Sequence, residues 1–222
     1  MMRIGLFGGT FNPIHNGHLW AALEVKSSFN LDQIYLIPAA VPPHKNSGTV
    51  TSADDRLQMI NLAIAGLTGI TVADVELRRP GPSYTIDTVR HFKRKLKSGS
   101  RIFLIMGLDA FLEIHTWKSY QELLEQIVLI VIARPAANYP KAPQGRKVLE
   151  NYFKSVLSAD YELSAGNDCY TAKGWQPIYF SDVRALDISS TIIREKVREK
   201  KTIVEWVPLP VAEYIQSKGL YR

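Results

Sequence analysis

Short, almost continuously apolar runs alternate along this chain with longer amphipathic segments, and this alternation constrains the fold most. The apolar runs are Arg3–Phe7, Gln33–Ile37, Ile70–Val75, Arg101–Met106, Ile127–Ala133 and Pro177–Phe180. Strands buried on both faces of a parallel sheet have this continuous apolar character, whereas half-exposed strands alternate between apolar and polar residues. The sequence therefore predicts an α/β fold with a doubly wound parallel sheet.

Helical patterns occupy the intervals between the apolar runs. They cover residues 17–30, 54–66, 84–97, 119–126, 146–157, about 189–200 and 209–218. In the first of them, Leu19, Leu23 and Phe29 lie near one face of the predicted helix. We predict one domain over residues 1–222, with an irregular insertion at 138–176 and C-terminal helices within 188–222.

Composition narrows the class of protein without identifying it. The 222 residues are 46% hydrophobic and 22% charged, as in ordinary globular proteins. Lys and Arg exceed Asp and Glu by 27 to 21, a mild basic excess that suits phosphorylated small molecules or nucleic acid. The single cysteine, Cys169, excludes an intrachain disulfide framework and indicates a reducing compartment, so we expect a cytoplasmic protein. The longest apolar run, Ile127–Ala133, is too short to span a membrane, and we expect none as a partner.

The segment that follows the first strand, Gly8–His18, is the first candidate site. In an open parallel sheet, ligands bind outside the carboxyl ends of the strands. Two glycines allow a ligand to approach the backbone, and the next helix directs amide donors towards it. His15 and His18 are three residues apart, so both rings can face one pocket. The segment matches neither a Walker loop nor G-x-G-x-x-G. A glycine turn with two helix-capping histidines remains the alternative interpretation.

A second candidate segment is Ile188–Arg194. Ser189 and Ser190 are typical helix-capping residues, and Arg194 lies one turn after Ser190 on the same face. A guanidinium at that place can bind phosphate oxygens. The alternative is a capped surface helix with Arg194 in solvent.

Together these segments resemble the nucleotidyltransferase superfamily. Gly8–His18 matches its G-x-F-x-P-x-H-x-G-H signature, and Ile188–Arg194 matches its I-S-S-T-x-x-R motif. Further features resemble the bacterial nicotinate-mononucleotide adenylyltransferases. The resemblance implies a Rossmann-like nucleotidyltransferase fold. It also implies transfer of the adenylyl group of ATP to nicotinate mononucleotide, giving nicotinate adenine dinucleotide and pyrophosphate in NAD biosynthesis.

The resemblance also implies an ATP site. Its residues are Gly8, Gly9, Thr10, Phe11, His15, His18, Gly107, Asp109, Ile188, Ser189, Ser190 and Arg194. Gly107 and Asp109 are expected to border the adenosine. We expect His15, His18 and Arg194 to be catalytic, as donors to phosphate oxygens. Mg²⁺ is expected to bind through the substrate phosphates, without a dedicated protein metal site.

The resemblance likewise implies an acceptor site for nicotinate mononucleotide. Its residues are His44, Lys45, Thr85, Trp117, Lys118 and Arg134. The Thr85 hydroxyl and the amide near Lys118 are expected to bind the pyridine carboxylate, and Trp117 to stack on the ring. Taken separately, these residues also fit a helix cap, a core tryptophan and exposed basic side chains.

Two other functions remain open from the sequence. One is a transferase of the superfamily that acts on another phosphorylated acceptor. The other is an inactive nucleotide-binding module, because fold alone does not establish chemistry. The chain has no run of Lys and Arg with interleaved aromatic residues, so we expect no nucleic-acid partner. A homo-oligomer is possible.

Overall fold

A single mixed sheet forms the centre of the protein. The computed structural model describes residues 1–40, 50–133, 142–157, 160–164, 168–182 and 188–222. Within these residues the strands are β1 (Arg3–Gly9), β2 (Gln33–Pro38), β3 (Ile70–Val72), β4 (Arg101–Gly107), β5 (Val128–Ile132), β6 (Glu162–Leu163), β7 (Cys169–Thr171) and β8 (Ile178–Ser181). Their order in the sheet is β3-β2-β1-β4-β5-β8-β7-β6.

The strand order changes direction beside β1. The chain places β2 and β3 on one side of β1 and then returns to place β4 and β5 on the other side. All of these strands run parallel, and β1 pairs with β4 from Arg3 opposite Arg101 to Phe7 opposite Ile105. The carboxyl ends of β1 and β4 thus flank the switch point at which doubly wound folds bind ligands. The predicted fold class is confirmed.

Helices cover both faces of the sheet. Within the described ranges they are α1 (Asn16–Ser28), α2 (Ala53–Ile64), α3 (Thr85–Lys95), α4 (Leu108–Phe111), α5 (Tyr120–Gln126), α6 (Ala142–Tyr152), α7 (Ser190–Arg198) and α8 (Leu209–Lys218). Side chains of α1, α2, α7 and α8 contribute to one hydrophobic cluster, and those of α3 to α6 contribute to another. No helix in these ranges is long and apolar enough to cross a membrane.

Strand β5 shows why the apolar runs are continuous. Ile130 and Ile132 belong to the cluster on one face of the sheet, while Leu129 and Val131 belong to the cluster on the other. All four side chains are fully buried. A strand between two helix layers has no solvent-facing side, so its side chains are apolar on both faces.

The structure differs from the sequence-based expectations for the fold in three places. Leu23 of α1 is 38% exposed, because α1 packs on the sheet through the small Ala21 and Ala22, which permit a close approach. The helix expected at 146–157 begins at Ala142 and continues beyond Tyr152 as a π-helical turn, Phe153–Leu157. In the described part of the insertion, β6 and β7 also extend the sheet in antiparallel fashion beside β8.

Candidate active site

The turn after β1 is compact because an aromatic ring packs on a glycine. Phe11 is buried and has a positive φ of 50°. A Cβ at Gly9 would lie 2.9 Å from the Phe11 ring, so this close contact requires glycine there. Gly8, in contrast, is exposed, and a Cβ there would meet no atom of the described structure within 4 Å. Gly8 therefore borders open space at the carboxyl end of β1.

His15 and His18 form a stacked pair at the beginning of α1. Their ring centroids are 3.6 Å apart, and the Phe11 ring lies edge-on to His18 at 5.0 Å. His15 is buried, and its backbone N–H donates to Nδ1 of His18 at 3.3 Å. Because Nδ1 accepts this bond, we assign the proton of the neutral His18 ring to Nε2. The two histidines thus cap the helix. The Nε2 atom of His18 is a donor that this capping bond does not use.

The second motif packs directly on the first. Ser189 is the N-cap of α7, and its Oγ accepts a hydrogen bond from the Ile192 N–H at 3.2 Å. Ser190, in contrast, does not cap the helix as expected from the sequence. Its Oγ donates to the backbone carbonyl oxygen of Pro13 at 2.9 Å. The N-terminus of α7 is therefore fixed against the turn after β1.

Arg194 makes the second contact between the motifs. Its Nη1 donates to the backbone carbonyl oxygen of Asn12 at 2.8 Å, and its Nη2 donates to Thr191 Oγ1 at 3.2 Å. Within the described structure its Nε is buried without a hydrogen-bond partner. A guanidinium has five N–H groups, so each Nη atom retains one hydrogen for an anion. Arg194 is thereby oriented towards the turn after β1.

Gly107 and Asp109 lie at the end of the strand next to β1. Gly107 is the last residue of β4 and pairs with Ile132 of β5. Asp109 follows in the first turn of α4 and is exposed. Both residues are thus at the carboxyl edge of the sheet, across the switch point from Gly8.

The predicted acceptor-site residues within the described structure lie at the start of α3 and in the segment before α5. Thr85 is the first residue of α3, and its hydroxyl makes no hydrogen bond within the described residues. Lys118 Nζ lies 4.5 Å from the Tyr84 ring centroid and 3.2 Å from Asp87 Oδ2. These contacts bring the half-buried Trp117 and the beginning of α3 to one end of the sheet.

Two hydroxyl groups near Thr85 are part of the scaffold. Ser83 Oγ accepts a hydrogen bond from the Ala40 N–H at 2.9 Å and so connects this segment to the residues after β2. Thr88 Oγ1 donates to Glu76 Oε1 at 2.6 Å and accepts from Arg79 Nη2 at 3.2 Å. Both contacts are internal and Thr88 is buried, so its hydroxyl is not available to a ligand.

The remaining predicted site residues are only partly described. Ile188 is half-buried and packs against the same core cluster as α7. Three predicted acceptor residues, His44, Lys45 and Arg134, lie outside the described residues. Their places in the acceptor site stay predictions.

Two residues that contact the turn after β1, Arg56 and Tyr221, were not among the predicted site residues, and nor was Asn12 within the turn. Tyr221 donates from its hydroxyl to Asn12 Oδ1 at 2.9 Å, and Arg56 donates from Nη1 to the Thr10 carbonyl oxygen at 2.9 Å. A signal for Arg56 was present, because it shares the helical spacing of the buried residues Ile60 and Ala63. A charged residue at an apolar position of a helix indicates a specific partner.

Comparison with known proteins identifies relatives over the whole chain. A family model described as "Cytidylyltransferase-like" matches residues 6–196. A probable nicotinate-nucleotide adenylyltransferase of Desulfatibacillum aliphaticivorans is 41% identical over 99% of this chain and 100% of its own length. One from Thermus thermophilus is 38% identical over the full length of both chains.

Solved structures show the same fold. The nicotinic acid mononucleotide adenylyltransferase of Plasmodium falciparum, complexed with NaAD, superposes with a TM-score of 0.73 at 17% identity. The alignment covers 100% of this chain and 98% of that one. The same enzyme complexed with APC gives a TM-score of 0.72.

Proposed function

Because the chain belongs to the cytidylyltransferase-like family and, within it, to the nicotinate-nucleotide adenylyltransferases, we propose that its residues catalyse adenylyl transfer from ATP to nicotinate mononucleotide. The products are nicotinate adenine dinucleotide and pyrophosphate, in NAD biosynthesis. The observation that carries the proposal is the direct contact between the two motifs, through Ser190 with Pro13 and Arg194 with Asn12. This contact supports the proposal because it brings the turn after β1 and the N-terminal part of α7 together.

The reaction needs no nucleophile from the protein. A phosphate oxygen of the mononucleotide attacks the α-phosphorus of ATP, and a new phosphorus–oxygen bond forms. The bond from the α-phosphorus to the bridging oxygen of the β-phosphate breaks, and its electron pair leaves with pyrophosphate. Catalysis therefore consists of positioning the two substrates and stabilising the charge that develops on the phosphate oxygens.

The turn after β1 and α7 bind the ATP phosphates in this proposal. His18 donates from Nε2 to an oxygen of the α-phosphate, and His15 supports it by stacking from the buried side. Arg194, with the free amides at the N-terminus of α7, binds the oxygens of the departing pyrophosphate. His18 and Arg194 supply hydrogen bonds and positive charge to the phosphates, and Mg²⁺ bound with ATP would add further positive charge there without a ligand from the protein.

The adenosine and the acceptor bind on either side of this phosphate site. We place the adenosine beside Gly107 and Asp109. The Trp117 ring stacks on the pyridine, and the Thr85 hydroxyl with the Lys118 amide binds its carboxylate. The phosphate of the mononucleotide is assigned to the basic side chains predicted from the sequence: His44, Lys45 and Arg134.

The cellular setting is also a proposal. Cys169 is buried and unpaired, which fits a reducing compartment, and we propose the cytoplasm. A homo-oligomer stays a prediction.

Product identification tests the proposed function. The protein is incubated with MgATP and nicotinate mononucleotide, and the products are resolved by mass spectrometry beside a pyrophosphate assay. We expect dinucleotide and pyrophosphate in equal amounts, and a strongly reduced yield from His18→Asn. Formation of AMP or ADP without dinucleotide would contradict the proposal.

A further inference from the structure

Arg56 is a buried cation that the mechanism above does not use. Among the described residues it is the largest fully buried side chain, and it is 1% exposed. No carboxylate of the described structure forms a salt bridge with it. Its neighbour Asp55 instead accepts a hydrogen bond from the Tyr214 hydroxyl at 2.8 Å. Burial lowers the pKa of Arg56 from its ordinary value, yet an arginine stays protonated.

The guanidinium of Arg56 contacts backbone on two sides. Nη1 donates to the Thr10 carbonyl oxygen at 2.9 Å, and Nε donates to the Thr51 carbonyl oxygen at 3.1 Å. In a trans peptide the carbonyl and the N–H point in opposite directions. The bond to Thr10 therefore directs the N–H of Phe11 away from Arg56. A cationic donor on the carbonyl also polarises the peptide group and strengthens its N–H as a donor.

The same turn has a second support on the side of α2. Asn12 Oδ1 accepts hydrogen bonds from the Tyr221 hydroxyl at 2.9 Å and from the Thr51 N–H at 3.2 Å. Arg194 contacts Asn12 through its backbone carbonyl. The turn is thus fixed by Arg56, Thr51 and Tyr221, while Arg194 retains hydrogens for a ligand.

We propose that Arg56 is a positioning residue of the ATP phosphate site, which orients and polarises the Thr10–Phe11 peptide so that its N–H donates to a phosphate oxygen. This inference rests on the proposed function for the identity of the anion. A buried charge without a counter-ion is costly unless an anion approaches it. The triphosphate supplies that negative charge, so Arg56 favours the ATP-bound state over the free state. A residue that only fixed α2 to the turn would not discriminate between these states.

The affinity for ATP, measured without acceptor, tests this inference. MgATP binding is titrated calorimetrically for the wild type, Arg56→Gln and Arg56→Lys. We expect Arg56→Gln to raise the ATP dissociation constant about 30-fold, because the charge-assisted hydrogen bond to the Thr10 carbonyl oxygen is lost, and Arg56→Lys to raise it between about twofold and fivefold. The KM for nicotinate mononucleotide at saturating ATP is expected to stay within about twofold, since Arg56 does not contact the acceptor.

Tyr214→Phe is the matched control. It removes a hydrogen bond to the neighbouring residue of α2 without touching the turn, so it is expected to lower Tm and leave the ATP dissociation constant unchanged. An ATP dissociation constant of Arg56→Gln within twofold of the wild type, or an equal loss of affinity for both substrates, would overturn the proposal. If Arg56→Gln does not fold, Arg56→Lys decides by the same titration. An ATP dissociation constant raised by more than about twofold at unchanged acceptor KM supports the proposal, and one within twofold of the wild type refutes it.

The binding measurement also separates this inference from the proposed function. Weaker ATP binding in Arg56→Gln would support the phosphate-site role even if nicotinate mononucleotide proved not to be the acceptor. Dinucleotide synthesis with unaltered ATP affinity in the variants would leave the function intact and remove the role of Arg56.

Discussion

Arg194 donates from Nη1 to the backbone carbonyl oxygen of Asn12 at 2.8 Å, although the two residues are 182 positions apart in the chain. The bond orients the guanidinium by the turn that follows β1, in addition to its own helix. The donors of the second motif and the turn of the first therefore form one unit. Disturbing either end of this bond is expected to affect the same step of the reaction.

Replacing Arg194 with lysine tests this orientation. Lysine keeps the charge but has no planar fork, so it cannot bind Asn12, Thr191 and a phosphate at the same time. We expect kcat for Arg194→Lys to fall by ~10²-fold or more, in the range found for the loss of a donor to transition-state charge. Steady-state kinetics provide the measurement. Arg198→Lys, an exposed change at the end of the same helix, is the control and is expected to keep the wild-type rate.

The Nε2 atom of His18 is tested separately from its capping role. Asparagine places an acceptor oxygen near the position of Nδ1 and can keep the bond from the His15 N–H, but it lacks a donor at the position of Nε2. We expect His18→Asn to keep a Tm close to that of the wild type and to lose ~10²-fold in kcat, with a smaller effect on ATP binding. Equal losses in kcat and ATP affinity would contradict a role in stabilising the transition state.

Thr85 is predicted to contribute to the preference for the acid form of the pyridine nucleotide. Its hydroxyl has no internal partner in the described structure, whereas that of Thr88 is occupied by Glu76. Thr85→Val should lower the ratio of kcat/KM for nicotinate over nicotinamide mononucleotide about tenfold, because a carboxylate loses one donor. Kinetics with both acceptors give this ratio. An unchanged ratio would assign the preference to other groups.

Trp117 is predicted to bind the pyridine ring by stacking. Trp117→Ala should raise the KM for nicotinate mononucleotide by about tenfold, the loss of one ring-on-ring contact, and leave the KM for ATP nearly unchanged. Trp20→Ala removes a tryptophan that is 49% exposed on α1, and it serves as the control with wild-type kinetics expected. A larger effect of Trp117→Ala on ATP than on the acceptor would refute the stacking assignment.

Stability at alkaline pH reports on the burial of the Tyr221 hydroxyl, which donates to Asn12 Oδ1. Burial raises the pKa of Tyr221 to about 12, above the ordinary value of about 10. A raised pKa contributes stability that is present below pH 10 and is lost as the pH approaches 12. The free energy of unfolding should therefore fall over this window, and less steeply in Tyr221→Phe. Urea unfolding at several pH values measures it, and identical slopes for both proteins would disprove the contribution.

Much of the fold could be predicted because local sequence determines it. The six parallel strands are continuous apolar runs, and residues that follow β1 and β4 must meet at one edge of such a sheet. The strands β6 and β7 could not be predicted, because β6 has only two residues and β7 only three, and neither has a periodicity that can be recognised. The position of Leu23 on the packed face of α1 was predicted wrongly. The sequence did not show that α1 packs through small residues and not through large ones.

Candidate site residues could be identified from the sequence where a motif marks them, and not where only a tertiary contact defines them. His15, His18 and Arg194 occur in recognisable patterns. Arg56 and Tyr221 contact the same turn from α2 and from the C-terminal tail, and their relation to it depends on how these elements pack. No spacing in the sequence links positions 56 and 221 to position 12.

The central claim is adenylyl transfer from ATP to nicotinate mononucleotide, and pyrophosphate release tests it most directly. Initial rates are measured with MgATP and either nicotinate or nicotinamide mononucleotide as the acceptor. The account predicts fast release with the acid and much slower release with the amide. No release with either acceptor, from folded protein that binds ATP, would contradict it.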